Sequence, residues 1–511
     1  MIFGKLTSPY EANIVGAFGI NSNIGPSDGN SDAFHNKVST KYIDIGVAKE
    51  SECGATIMGG ELWVDDNAAE SLVVQYNDVE LQTLCAILFN SLDIIGAGGY
   101  SWVNSNTKSC KIIFRANSVN INDIGKVLTQ DEQLGDLYVY GSFFDTASWF
   151  TAPLVTAEFI GNTVTIGEAN FTIPNNASFY GAYCKYSASS DSKQTDNVVT
   201  IKNTAPLSGN QIVVCGFSGT GNIINNNRIF INLVNFSNND NTKLYGASDE
   251  AAYGNGFYTN IFTDNSVNIY GGSLNAKSAL LLYGAQTSSI NANNGILSSN
   301  AVKISNRATF QLDTDSSYIN IYGAKVNCDV ALVSDNLVQL SQSTFKIGSG
   351  LGLNCSGVFC DGYAAIVQNN RVIIGGDNTE NVSFNNGVST ITGALVKAKK
   401  ELESILSKNV SITGNSVVIN QCTFSNPQDA NIFSAYVDKT ADLHSLTKYL
   451  LSNNQVIING GDFSSGTINI AAAAAKRAVY LGSMVNFSNN SVTLRGDKDT
   501  LKLNSAKIMG A

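Results

Sequence analysis

Charge is scarce in this chain. Only 14% of its 511 residues are Asp, Glu, Lys or Arg, against about a quarter in ordinary globular proteins. The 31 basic residues are outnumbered by 41 acidic ones, for a net charge of −10. Nucleic-acid binding needs clustered Lys and Arg to neutralise phosphates. No cationic patch with interleaved aromatics occurs, so that class is excluded. There are six prolines and two histidines, His35 and His444. Neither histidine lies at ligand spacing from a cysteine, which argues against a zinc site. No run approaches the roughly 18 apolar residues that cross a bilayer, so no membrane span is expected; Ala471 to Ala475 is a short alanine run. The opening Met1-Ile2-Phe3-Gly4-Lys5 leads into no apolar stretch of the signal-peptide kind.

The nine cysteines (Cys53, Cys85, Cys110, Cys184, Cys215, Cys328, Cys355, Cys360 and Cys422) are odd in number and scattered, with no CxxC. Most have apolar, strand-like flanks, as Val213 and Val214 beside Cys215. Buried thiols are expected rather than a disulfide framework, because a free cysteine behaves as a small hydrophobe.

Asn, Ser, Thr and Gly supply the missing polarity. With 43% hydrophobic residues, the chain is no disordered polar tract. Such a composition suits many short strands joined by tight polar turns. A five-residue pattern, Asn–x–aliphatic–x–aliphatic, recurs from end to end. Clear copies begin at Asn117, Asn162, Asn197, Asn227, Asn265, Asn300, Asn336, Asn370, Asn415, Asn454 and Asn490, spaced 30 to 45 residues apart. Asn77 and Asn90 extend the series towards the N-terminus, and a weaker copy begins at Ser317. Two further segments often follow, one carrying Phe (Phe171, Phe310, Phe345, Phe424, Phe463) and one ending in Tyr-Gly (Tyr140-Gly141, Tyr180-Gly181, Tyr245-Gly246, Tyr283-Gly284).

Period-two alternation points Val119 and Ile121 one way and Ser118 and Asn120 the other. One such strand cannot offset its own ordering entropy. Stacked at about 4.8 Å, the aliphatics form internal ladders and the backbones pair with neighbouring coils. Asn at the strand entrance tolerates left-handed backbone and can hydrogen-bond up a stack of its copies. The expected fold is all-β: a right-handed parallel β-helix, with three short strands per coil and small helical insertions. Residues 1–75 repeat poorly and are read as an N-terminal cap or atypical first coils. Residues 76–511 are read as the β-helix, with helical insertions near 394–409, where Leu395, Ala398, Leu402 and Ile405 recur at helical spacing, and near 428–451.

The Asn–x–Val–x–Ile, Gly-Gly–x–Phe and Tyr-Gly elements resemble the passenger region of bacterial autotransporter adhesins. The best match runs from Asn265-Ser266-Val267-Asn268-Ile269 to Leu282-Tyr283-Gly284, and the resemblance covers roughly residues 75–500. Phe236-Ser237-Asn238-Asn239 and Phe487-Ser488-Asn489-Asn490 also resemble elements of chlamydial-type polymorphic membrane proteins. The resemblance implies an exported protein of the bacterial surface or the medium. It would bind a host-cell or bacterial surface protein or glycan, or matrix, and act as a monomer without a cofactor.

Parallel β-helices also carry carbohydrate-active enzymes, so the fold alone decides nothing. Of a polygalacturonase-like site only Asp65-Asp66 is present, and neighbours on a strand face opposite ways, so at most one lines a groove. A solvated turn is the plainer reading. His35 and His444 read as structural or surface residues. Gly216-Phe217-Ser218-Gly219-Thr220-Gly221 lacks the Lys-Ser/Thr of a phosphate loop and reads as a turn. Lys397, Lys399 and Lys400 read as a solvated face. Trp102, Trp149, Phe150, Tyr253, Phe257 and Tyr258 suit stacking on sugars or anchoring a partner, but are more simply covers for loop bases. No catalytic, cofactor-binding or metal-binding residue is therefore assigned. A binding scaffold is expected rather than an enzyme, with a tailspike- or pectin-lyase-like enzyme or a purely structural surface protein as the alternatives.

Overall fold

A computed structural model describes residues 2–510 apart from the stretches 9–11, 17, 22–30, 48–54, 65–70, 88–90, 102–109, 129–135, 147–154, 170, 173–174, 185–191, 203–205, 220, 239, 250–260, 288–294, 313–317, 328–329, 348–351, 362–363, 377–380, 386, 398–408, 426–428, 439–447, 477–483 and 497–499. The chain divides into two compact units, residues 1–259 and 260–511. Each is a parallel β-solenoid.

In the first unit, the coil that starts at Lys193 shows the plan. It lays down the strands Lys193–Thr195, Val198–Lys202, Pro206–Gly209 and Gln211–Gly219. Each pairs in parallel with its counterpart one coil on, so that Val199 lies beside Ile229, Leu207 beside Phe236 and Val214 beside Leu244. In the second unit the coil Ile296–Ser298, Ala301–Ser305, Thr309–Leu312 and Tyr318–Val326 repeats the plan. Val302 there lies beside Val338 and Ile304 beside Leu340. These coils carry four strands where three were expected. The extra one is the short strand before the repeated asparagine, Lys193–Thr195 ahead of Asn197 and Ile296–Ser298 ahead of Asn300, and the Tyr-Gly element lies within its strand rather than at its end. Gly141, Gly181 and Gly284 lie inside the strands Asp136–Thr146, Asn176–Cys184 and Ala279–Thr287.

The interior is made of the aliphatic ladders. Val119, Val164, Val199 and Ile229 have no exposed surface in the first unit, nor do Val302, Val338, Val372 and Val417 in the second. Each contributes about 1.5–3 kcal/mol, enough to offset the ordering of a strand only when the coils above and below are present. The Phe segments form a second column. In the second unit the rings of Phe310, Phe345, Phe384, Phe424 and Phe463 stack at centroid distances of 4.7, 5.2, 4.7 and 5.0 Å. Cys184, Cys215, Cys355, Cys360 and Cys422 are buried thiols, as their flanks suggested.

The repeated asparagine does not itself take the left-handed backbone. That falls to the residue before it: Tyr76 (φ 55°), Ala116 (50°), Gly161 (68°) and Asp196 (61°) in the first unit, Asp264, Ser299, Asp335 and Asn369 (55–58°) in the second. The left-handed residue turns the chain through the corner, and the buried asparagine that follows ties the corner to its neighbours. Asn77 donates its backbone N–H (3.0 Å) and its amide N–H (2.9 Å) to Oδ1 of Asn117, and the Asn117 amide donates to the Val74 carbonyl at 3.0 Å. The same three bonds recur at Asn162, whose Oδ1 accepts the backbone N–H and the amide of Asn117 and whose amide donates to the Phe114 carbonyl.

Against this ladder runs a row of glycines. A Cβ on Gly141 would lie 2.4 Å from the Gly181 carbonyl oxygen and 2.9 Å from the Thr163 nitrogen; on Gly323 it would lie 2.5 Å from the Gly357 carbonyl. No side chain fits so close to backbone, which is why Gly follows Tyr so regularly.

Strands within the first 75 residues already pair with the next coil. Lys37–Val47 lies beside Asp78–Ile87, Ala55–Val64 beside Ser91–Ser101, and Asn36 donates its amide to Asn77. Where the expected helical spans fall on described residues, they are strand. Ala394 to Lys397 end the strand Val388–Lys397, in register with Val358, Phe359 and Cys360. Asp429–Asp438 and Lys448–Ser452 are strands too, and Tyr449 and Leu451 sit beside Val410 and Ile412. Stacking on a preformed neighbour overrides the helical spacing. Residues 398–408 and 439–447 lie outside the described residues.

Candidate functional site

The outer side of the Tyr-Gly strands carries the groove of interest. In Tyr318–Val326, Ile319 and Ile321 point inward and Tyr318 and Asn320 outward. At Gly323 the inward phase slips by one residue, so Ala324 and Val326 are buried and Lys325 faces out. Residues on both sides of the slip border one groove of about 330 Å³. Tyr318, Asn320 and Tyr322 line it from one side, and Lys325, Phe359, Leu395 and Lys397 from the other. Asn327, Asn354 and Asp361 complete its wall.

Stacking fixes the floor. Tyr322 lies between Tyr283 (centroids 5.1 Å apart, planes 5° apart) and Phe359 (5.0 Å, 8°). The Lys325 ammonium sits 5.1 Å from the Tyr283 ring centre, and that of Lys397 lies 5.1 Å from the centre of Phe359. A cation over a ring is held by the ring's quadrupole, worth about 0.5–1 kcal/mol near a surface. The Asn354 amide donates to Oδ1 of Asn320 at 2.9 Å. Burial, with Tyr283 beside it, pushes the Tyr322 phenol well above its usual range, so it stays protonated and neutral. The arrangement presents two cations, amides and an exposed ring, Tyr318, on a rigid base.

The first unit carries a second cluster at the same strand position. Tyr140 stacks on Tyr180 (5.3 Å) and Phe143 on Tyr183 (5.6 Å), one coil apart. Asp93 lies in register with Tyr138, two residues after Asp136 on the next strand. Asp136 accepts hydrogen bonds from the Tyr138 hydroxyl (3.0 Å), the Asn175 amide (2.5 Å) and the Asn176 backbone N–H (3.2 Å). Burial, and then the charge of Asp136, raise the Asp93 carboxyl to about 6.

Few of the residues singled out in the sequence meet here. Lys397 does. Asp65, Asp66, His444, Lys399, Lys400, Trp102, Trp149, Phe150, Tyr253, Phe257 and Tyr258 lie outside the described residues. His35 is an exposed left-handed corner residue (φ 53°), its ring stacked on Tyr76 at 5.0 Å. Gly216 to Gly219 are not a turn but the end of the strand Gln211–Gly219. Sequence reading missed Tyr322, Lys325, Phe359, Asp93 and Asp136. Their signal was the polar and aromatic residues alternating with aliphatics around Tyr-Gly, as in Tyr318-Ile319-Asn320-Ile321-Tyr322-Gly323-Ala324-Lys325. Among the described residues, no group of three or more His, Cys, Asp or Glu side chains is placed to hold a metal ion, and no helix is long and apolar enough to cross a membrane. The chain matches no known family model, no curated protein and no solved structure.

Proposed function

We propose that this chain is an exported bacterial surface protein of the autotransporter-passenger kind, a right-handed β-helix that binds a host-cell or bacterial surface partner. It acts as a scaffold, not an enzyme. One observation carries the reading: an outward groove lined by the stacked rings of Tyr322 and Phe359, with Tyr283 buried behind Tyr322, and bordered by Lys325 and Lys397. Rings and hydrogen-bonding amides fixed on a rigid stack lose little freedom on binding. Repetition also supports it, since a solenoid offers the same outward position coil after coil. The test is adhesion of the purified full chain to host epithelial cells and to bacteria. Saturable binding that unlabelled protein competes away is expected. Absence of binding to either surface overturns the reading.

A second reading, a carbohydrate-active enzyme, draws on Asp93 and Asp136. A carboxyl that keeps its proton to about pH 6 beside another carboxylate and a bank of tyrosines is the raw material of acid catalysis on a sugar. Release of reducing ends from a polysaccharide panel, lost in Asp93→Asn, would establish it in place of the scaffold.

A further inference from the structure

We infer that the groove around Tyr322 binds an anionic glycan, one bearing a carboxylate on every second sugar, which lies across the coils. The inference deepens the scaffold reading and rests on it, because it names the ligand class of the groove that carries it.

Charge complementarity is the first argument. The chain as a whole is acidic, with a net charge of −10, yet this groove is bordered by two ammonium groups, those of Lys325 and Lys397. Each lies over a ring, 5.1 Å from its centre. A cation held over a ring is already ordered, so an anion that meets it loses less entropy than at a loose surface lysine.

Spacing is the second. Lys325 lies in register with Phe359, and Phe359 with Leu395, two residues before Lys397 on the same strand. The two lysines are therefore two coils apart, about 10 Å at about 4.8 Å per strand, with a further offset along the strand. That span suits charges on alternate sugar rings and is too wide for one small carboxylate to bridge. The third argument is the rest of the wall. Exposed Tyr318 offers a ring face to a sugar's apolar side, while Asn320, Asn354 and Asp361 offer hydrogen-bonding partners to hydroxyls. Asp361 repels a carboxylate brought next to it, which favours the register that sets the anions on the lysines.

The experiment measures binding of a fluorescent hyaluronan octasaccharide to the full chain by anisotropy. The same oligosaccharide with its carboxyls reduced to alcohols serves as the neutral control. Binding of the anionic form at least tenfold tighter than the neutral form is expected. Lys325→Ala with Lys397→Ala should weaken it tenfold or more, and Asn320→Asp, which adds a negative charge to the wall, should weaken it too. Replacing two exposed lysines elsewhere in the same unit, Lys303→Ala and Lys507→Ala, should leave it unchanged. Circular dichroism and a melting curve check that each variant folds. Equal binding of the neutral form overturns the inference, as does equal loss from the distant lysines. Cell adhesion of the parent chain separates the two readings: a parent that adheres to cells but does not bind the octasaccharide sinks this inference and leaves the scaffold standing.

Discussion

Asn300 and Asn336, in successive coils, share one acceptor: Oδ1 of Asn336 receives both the backbone N–H (3.1 Å) and the amide N–H (3.0 Å) of Asn300. The Asn336 amide in turn donates to the Leu297 carbonyl at 3.3 Å, and neither asparagine has exposed surface. The side chain thus satisfies two buried donors and one buried carbonyl in the adjacent coil. Asn336→Ala strands all three and should cost about 3–5 kcal/mol, at about 1–3 kcal/mol for each unsatisfied buried group after partial relaxation. Asn336→Leu should be no better, since filling the volume restores none of the bonds. Urea denaturation of the variants against the parent checks this, and a loss under 1 kcal/mol would show that the ladder is decorative.

Two glycines make the same substitution informative for opposite reasons. Gly161 is left-handed (φ 68°), and a Cβ there would meet nothing within 4 Å. Gly161→Ala should cost about 1 kcal/mol, from backbone conformation alone, and Gly161→Asn should recover most of it. Gly141 is not left-handed, but its Cβ would lie 2.4 Å from the Gly181 carbonyl oxygen. Gly141→Ala should therefore cost about 3 kcal/mol by overpacking, and Gly141→Asn should be worse. Opposite responses to Asn at the two sites, read from urea midpoints, separate the two mechanisms. Parallel responses would refute the distinction.

The stack was legible in the sequence because its cause is local and repeated. Val–x–Ile after Asn states both the alternation and the periodicity, and the structure places those residues beside one another coil by coil, as Val119 beside Val164 and Ile121 beside Ile166. What failed was the reading of segments whose conformation is set by neighbours far away in sequence. Ala394-Leu395-Val396-Lys397 has helical spacing, yet it adds to a strand already formed by Val358, Phe359 and Cys360. Ala471 to Ala475 would favour helix by intrinsic propensity, but these residues lie in a strand in which Ala471 sits beside Phe433 and Ala474 beside Tyr436. The groove was hidden for another reason. Its members, Lys325, Phe359 and Lys397, are 34 and 38 residues apart along the chain, and only the register of the coils brings them together. Tyr-Gly was visible as punctuation, whereas its use as a phase slip inside a strand appears only once the glycine is seen against the asparagine ladder.

The Asp93 carboxyl gives a prediction in pH. Its folded value, about 6, stands above the ordinary 3.8, first through burial and then through Asp136. Between those values the folded chain binds the proton more tightly than the unfolded chain does, so stability falls as pH rises across the window. Below about pH 4 the group is protonated in both states and contributes no penalty; above about pH 6 it is charged in both and the penalty is complete. Allowing for partial solvent access, that penalty is on the order of 2 kcal/mol. Asp93→Asn removes the titration and keeps the shape. The variant should match the parent near pH 4 and exceed it in stability above pH 6, with the difference growing between. Denaturation of both proteins at each pH from 4 to 8 checks this, because titrating groups that do not interact with Asp93 cancel in the difference. A gap that stays constant across that range would mean that Asp93 is as well solvated in the folded chain as in the unfolded one, and the acid-catalysis reading would lose its only support.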